Sequence, residues 1–117
     1  MDDGNLENLA IGLRSEDLLD RINAARGLLK LGSGGVQILT DTVEGSKDPA
    51  TINLCIETLN AIGKSAKPSC KAILRKLPHA DTTVRNSSYQ ALKSIGSDSP
   101  KTSKFIIGVY KLLNLLI

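Results

Sequence analysis

The residues of this chain that could carry out nucleophilic or metal chemistry are few and lie far apart. The cysteines are Cys55 and Cys70, and the single histidine is His79. A zinc site needs Cys and His clustered at short spacing, and these residues form no such cluster. Cys70 and His79 are formally available as a nucleophilic pair, but a catalytic thiol needs an activating environment that the sequence does not indicate. We therefore predict a protein that is not an enzyme, with no catalytic residue, no metal and no cofactor.

A glycine-rich stretch at 32–35 precedes a predicted helix and could in principle cradle an anion. It lacks the Lys-Ser/Thr ending of a phosphate-binding loop, and it follows a helix rather than a strand. We interpret it as a loop between two repeated units.

The charged residues are unevenly distributed along the chain. Residues 1–58 hold 5 Lys/Arg and 10 Asp/Glu, a net charge of −5, whereas residues 59–117 hold 10 and 2, a net charge of +8. The two halves together give the overall +3. This asymmetry favours a polar partner or a head-to-tail neighbour, and the alternative is two solvated helix faces that happen to differ.

One group of basic residues follows helical spacing. Lys67, Lys71 and Arg75 fall at i, i+4 and i+8 of a predicted outer helix, and Lys101 and Lys104 begin the next outer helix. Together they could form a positive strip that suits acidic protein surfaces or phosphate backbones. No aromatic residues are interleaved for base stacking, so we expect an acidic protein before a nucleic acid. A solvated helix face is the simpler alternative.

The last predicted helix, 101–117, is apolar around most of its circumference. The end of a helical stack normally shows a polar face, and this helix has none. Its apolar run contains Lys111 and is too short to span a bilayer. We expect it to pack against its own copy or against another protein; a membrane surface, or a next helix in a longer chain, are the alternatives. The predicted partner-binding residues are Phe105, Ile106, Val109, Tyr110, Leu113 and Leu116.

These residues are positioned by a repeat that three glycines mark, 31 and 33 residues apart. One residue before each glycine stands Leu or Ile, four before stands Leu, eight before a small residue and fifteen before an Asp. The Asp predicts an N-cap, the other three positions share one helix stripe, and the glycine predicts a left-handed helix end. In chain order the sets are Gly32, Gly63, Gly96; Leu31, Ile62, Ile95; Leu28, Leu59, Leu92; Ala24, Cys55, Ser88; and Asp17, Asp48, Asp81.

The register predicts an all-α chain that forms one domain over 1–117. Repeats are expected near 5–32, 35–63 and 66–96, followed by the terminal helix. No segment alternates with period two, so no strand is predicted. The expected helices lie near 5–14, 17–31, 35–45, 49–62, 66–77, 82–95 and 101–117.

Residues 20–32 and 83–96 resemble the second helix of HEAT repeats, particularly the short bacterial type also seen in phycobilisome-lyase-like proteins. In that family an Asp at the inter-helix turn and an Arg early in the second helix form a polar ladder between repeats. The resemblance implies a right-handed α-solenoid of about three HEAT-like hairpins plus a C-terminal apolar helix. The matching pairs are Asp17 with Arg21 and Asp81 with Arg85, whereas the middle repeat has Asp48 but Ile52.

The function we expect is a non-catalytic scaffold or adaptor for protein binding. Helices 17–31, 49–62 and 82–95 would supply a concave face, and helix 101–117 an apolar docking surface. Polyanion binding by the basic half is the alternative, and the resemblance alone suggests an accessory role in bilin attachment or removal. The chain shows no signal-peptide pattern, and with two cysteines we expect the reducing cytoplasm.

Overall fold

The computed structural model describes residues 2–96 and 100–116, and its side chains over 5–96 and 104–116. This part of the chain is helical and contains no strand, which confirms the all-α prediction. Two 3-10 segments, Gly32–Gly35 and Gly63–Ser69, lie between α-helices. The α-helices are α1 (Asp2–Leu13), α2 (Leu18–Leu31), α3 (Val36–Gly45), α4 (Pro49–Ile62), α5 (Cys70–Arg75), α6 (Thr82–Ile95) and α7 (Pro100–Leu116).

The three predicted N-cap aspartates all cap helices. Asp17, Asp48 and Asp81 have extended backbones, and each carboxylate accepts hydrogen bonds from N–H groups of the first helical turn. Those N–H groups have no partner inside the helix, so the aspartates satisfy donors that would otherwise be unpaired. The donors are Leu19 N, Thr51 N, Thr83 N and Val84 N, at 2.8–3.2 Å.

Two of the three repeat glycines end their helices with a positive φ. Gly32 has φ +59° and Gly63 has φ +84°, a region where residues with a Cβ are strained. Gly96 is different, because it has φ −95° and ψ −3°. The prediction of a left-handed end is therefore wrong at Gly96, where the backbone continues in the right-handed region.

The predicted helix 66–77 is divided. Residues Gly63–Ser69 form a 3-10 segment, and the α-helix that follows covers only Cys70–Arg75. Pro68 lies inside the 3-10 segment and has no N–H to donate, so an α-helical ladder cannot run through it. The Ser69 hydroxyl also donates to Ala66 O at 2.5 Å, which holds the tighter turn.

The helices pack as two rows of neighbours. In one row α2 contacts α4 and α4 contacts α6; in the other α3 contacts α1 and the segment 63–75. Each hairpin joins the rows, because α1 packs on α2, α3 on α4, and α5 on α6. The core between the rows is aliphatic, and its largest fully buried side chains are Leu13, Leu28, Leu39, Ile52, Ile56, Leu59, Ile73, Leu77 and Ile95.

The apolar and small repeat positions are buried except at the last stripe position, where Ile62 is partly buried and Leu31 is exposed. The small residues Ala24, Cys55 and Ser88 are buried, as the stripe predicted. Leu31, at the end of the first stripe, is 44% exposed, whereas its equivalent Ile95 is fully buried. Helix α2 stands first in its row and has a row neighbour on one side only, which leaves its last turn less covered.

We predict that Asp81→Ala lowers the free energy of unfolding by about 1 kcal/mol, because α6 loses an acceptor for two first-turn N–H groups. Urea denaturation followed by circular dichroism measures the change. Asp81→Ser is the matched control, since it removes the charge and keeps a capping oxygen. Equal losses in both variants would contradict the capping role.

Candidate protein-docking surface

Helix α7 is attached to α6 through an aromatic stack. The rings of Tyr89 and Tyr110 lie 4.1 Å apart between centroids and within 7° of parallel. Lys93 Nζ sits 4.8 Å from the Tyr89 centroid, at the distance of a cation–π contact. The Tyr110 hydroxyl bonds the side-chain oxygen of Asn86. These contacts fix which side of α7 faces the protein.

The stack divides the apolar residues of α7 between two faces. On the inner face Ile106 is only 6% exposed, and Val109, Tyr110 and Leu113 pack against the core. On the outer face four large apolar side chains meet solvent: Phe105 at 63%, Leu112 at 57%, Leu115 at 84% and Leu116 at 75%. We call these four residues the α7 surface. They are spaced so that they lie along one side of the helix.

Gly108 lies in the middle of the α7 surface. A Cβ placed there would meet nothing within 4 Å, so no contact in the described part of the chain requires a glycine. Glycine inside a helix is destabilising relative to alanine, so Gly108 lowers the stability of α7 without making a described contact that needs a glycine. A small residue in an apolar stripe allows another helix to approach closely. The exposed lysines Lys104 and Lys111 flank the stripe.

A groove of about 450 Å³ adjoins the α7 surface between α5 and α7. Its walls are mainly apolar and include Leu74, Leu92 and Phe105. Lys67 and Lys71 stand at its edge. The structure thus brings two of the predicted basic residues beside two of the predicted apolar ones, Phe105 and Ile106, in one site.

The residues of the predicted basic strip do not form one continuous surface. Arg75 Nη1 donates to Glu44 Oε2 at 2.7 Å, and both side chains are largely exposed, so its charge is partly compensated. Lys67 lies in the 3-10 segment and Lys71 in α5, which breaks the single helical face that the spacing predicted. Lys104 is exposed on α7, and the side chain of Lys101 lies outside the described residues.

The two thiols occupy different environments, and neither contacts a base in a described bond. Cys55 is fully buried, and burial raises its pKa to about 12. Cys70 lies on the groove wall, where burial raises its pKa and Lys67 opposes that shift. His79 caps its own turn, because its Nδ1 accepts the N–H of Asp81 at 3.0 Å.

The repeat arginines bind the turns that precede them. Arg21 Nη1 donates to Ser15 O at 2.7 Å, and Arg85 Nη1 donates to His79 O and Ala80 O at 2.9 Å. At the same position in the middle repeat, Ile52 is 1% exposed and belongs to the core. The arginine position is therefore satisfied by backbone carbonyls in two hairpins and by apolar packing in the third.

Sequence reasoning missed one cleft and part of the docking surface. A cleft of about 620 Å³ at the turns of the first two hairpins contains both Arg14 and Arg21 and both Asp41 and Asp48. These residues come from four elements, so no local pattern marks them. The α7 surface includes Leu112 and Leu115, which were not among the predicted partner-binding residues because the helix is apolar around most of its circumference.

In the described part of the chain, no group of three or more His, Cys, Asp or Glu side chains is arranged to hold a metal ion. Among the helices described, none is long and apolar enough to cross a membrane. No protein-family model matches this chain, and no curated protein or solved structure matches it significantly.

We predict that iodoacetamide at about pH 8 labels Cys70 in the native protein and spares Cys55, because only Cys70 is partly exposed. Mass spectrometry of tryptic peptides measures the two rates. Both thiols should react fully after unfolding in guanidinium, which serves as the control. Equal native rates would show that the site of Cys55 opens readily.

We predict that Gly108→Ala raises the free energy of unfolding by about 0.5–1 kcal/mol, because the added methyl meets no atom and the helix gains propensity. Gly32→Ala is the matched control and should destabilise the protein, since φ is +59° there. Thermal unfolding of both variants measures the difference. At concentrations where the chain is a monomer, a loss of stability in Gly108→Ala would mean that a contact within the chain holds that backbone.

Proposed function

We propose that this chain is a non-catalytic protein-interaction module, an adaptor or scaffold that binds its partner through the α7 surface. The observation that carries the proposal is the set of four large apolar side chains, each more than half exposed, on one side of a helix whose other side is packed. A contiguous exposed apolar patch with a charged rim is typical of a protein-binding site.

The architecture we propose for this module is a right-handed solenoid of HEAT-like hairpins. Three features support it: the row of α2, α4 and α6, the matching Asp caps, and the matching arginines at 21 and 85. A fourth feature is that Arg21 and Asp48, from neighbouring hairpins, line the same cleft.

Polyanion binding by the basic half stays a prediction with less support. The ion pair of Arg75 with Glu44 compensates one positive charge of the basic half. Lys67 and Lys71 lie beside an apolar groove rather than along an open strip. The role in bilin attachment or removal rests on the HEAT resemblance alone.

Site-specific photocrosslinking tests the proposed function. With benzoylphenylalanine at position 112, irradiation of cells that express the protein should give a discrete protein adduct, because Leu112 lies in the α7 surface. Mass spectrometry of the adduct identifies the partner, and an adduct to any one protein supports the proposal.

Position 37 is the matched control for this experiment. Gln37 is exposed on α3 and its amide bonds Asp41, so it samples a polar face of the same protein. Adducts of similar yield at positions 37 and 112, or none at 112, would overturn the proposed docking surface.

A further inference from the structure

A second exposed apolar surface lies near the other end of the chain. Ile11 is 55% exposed in the last turn of α1, and Leu18 and Leu19 are 53% and 61% exposed in the first turn of α2. A turn of four residues, 14–17, joins them. We call these three residues the first-hairpin surface. It has fewer residues than the α7 surface and is likewise apolar.

Most of the charged residues close to the first-hairpin surface along the chain are carboxylates. Four exposed acidic side chains lie within a few residues of it, and one of them, Asp20, lines the same cleft as Ile11. Arg14 is the basic residue of that turn. The four acidic residues are Glu7, Glu16, Asp17 and Asp20.

The α7 surface has the opposite charge. Helix α7 contains Lys101, Lys104 and Lys111 and no Asp or Glu. The same difference extends to the whole chain, since residues 1–58 have a net charge of −5 and residues 59–117 of +8. The two surfaces therefore match each other in apolar character and are complementary in charge.

We propose that the occupant of the α7 surface is a second copy of this chain, bound head to tail through its first-hairpin surface. This inference rests on the proposed function, because it names the partner of that same site. Phe105, Leu112, Leu115 and Leu116 of one copy pack on Ile11, Leu18 and Leu19 of the next. Lys104 and Lys111 face the carboxylates of the first hairpin, and Gly108 lets the two backbones approach closely.

A symmetric pair of α7 helices is the less favourable arrangement. Because all charged residues of α7 are lysines, an isologous contact would place like charges from both copies side by side. A head-to-tail contact leaves one surface of each type free at the ends of the assembly. Copies can then add to an open chain or close into a ring.

Mixing two variants tests the head-to-tail contact directly. The first variant, Leu112→Gln with Leu116→Gln, disables the α7 surface; the second, Ile11→Gln with Leu19→Gln, disables the first-hairpin surface. In light scattering the unsubstituted chain should show a mass that rises with concentration beyond a dimer. Each variant alone should be a monomer, and the equimolar mixture should form a 1:1 dimer and nothing larger.

The other outcomes overturn the inference in distinguishable ways. If the first-hairpin variant still forms dimers, the α7 surface pairs with itself. If the unsubstituted chain is a monomer at all concentrations while position 112 crosslinks to a different protein, the proposed function stands and the inference fails. If the chain is a monomer and position 112 gives no adduct, both fail.

Two controls keep the test specific. Leu29→Gln changes an exposed leucine on α2 outside the first-hairpin surface and should leave association unchanged. Lys104→Glu with Lys111→Glu should weaken association at least about tenfold, and Glu7→Lys with Glu16→Lys in the partner copy should restore it. Failure of the restored pair to associate would show that these charges do not face each other. Circular dichroism confirms that each variant is folded.

Discussion

The whole structure depends on helix packing at one small buried residue in each of α2, α4 and α6. Ala24, Cys55 and Ser88 are all buried at equivalent positions. In the first hairpin this position faces α1, where a Cβ on Gly12 would lie 2.8 Å from the Ala24 Cβ, so a larger side chain would push the two helices apart. The leucines four residues further on, such as Leu28, lie in the common core. The second row then covers the apolar side of the first, and each hairpin adds one helix to each row.

The turns between the two rows are held by polar groups that the core does not provide. In each helix of the α2–α4–α6 row, an aspartate accepts hydrogen bonds from one or two N–H groups of the first turn. Arg21 and Arg85 donate to backbone carbonyls of the turns before α2 and α6. Ile52 shows that the middle hairpin can replace this second interaction with buried apolar contacts. The orientation of the hairpins therefore depends on local bonds, and the cohesion of the stack on aliphatic packing.

Much of the helix order could be read from the sequence, because caps and stripes are local. The three aspartates and the bounds of α4 and α6 agree with the structure closely. The wrong predictions depended on longer-range packing or on backbone detail. They are the continuous helix through Pro68, the burial of Leu31 and the left-handed helix end at Gly96. The docking surface was harder to predict, because α7 is apolar around most of its circumference. The stacking of Tyr110 on Tyr89 determines which apolar side chains stay exposed to solvent.

The uneven charge of the chain also gives the molecule a large electric dipole moment. The principal-axis extents are 44 × 28 × 17 Å, and the acidic and basic halves of the chain have net charges of −5 and +8. In the electric field of another charged molecule, the protein rotates into a preferred orientation before the two surfaces make contact. Encounters are then oriented in advance, and their rate falls as dissolved ions shorten the range of that field. The charge distribution thus governs how fast a partner is found, while the apolar contacts govern how long it stays.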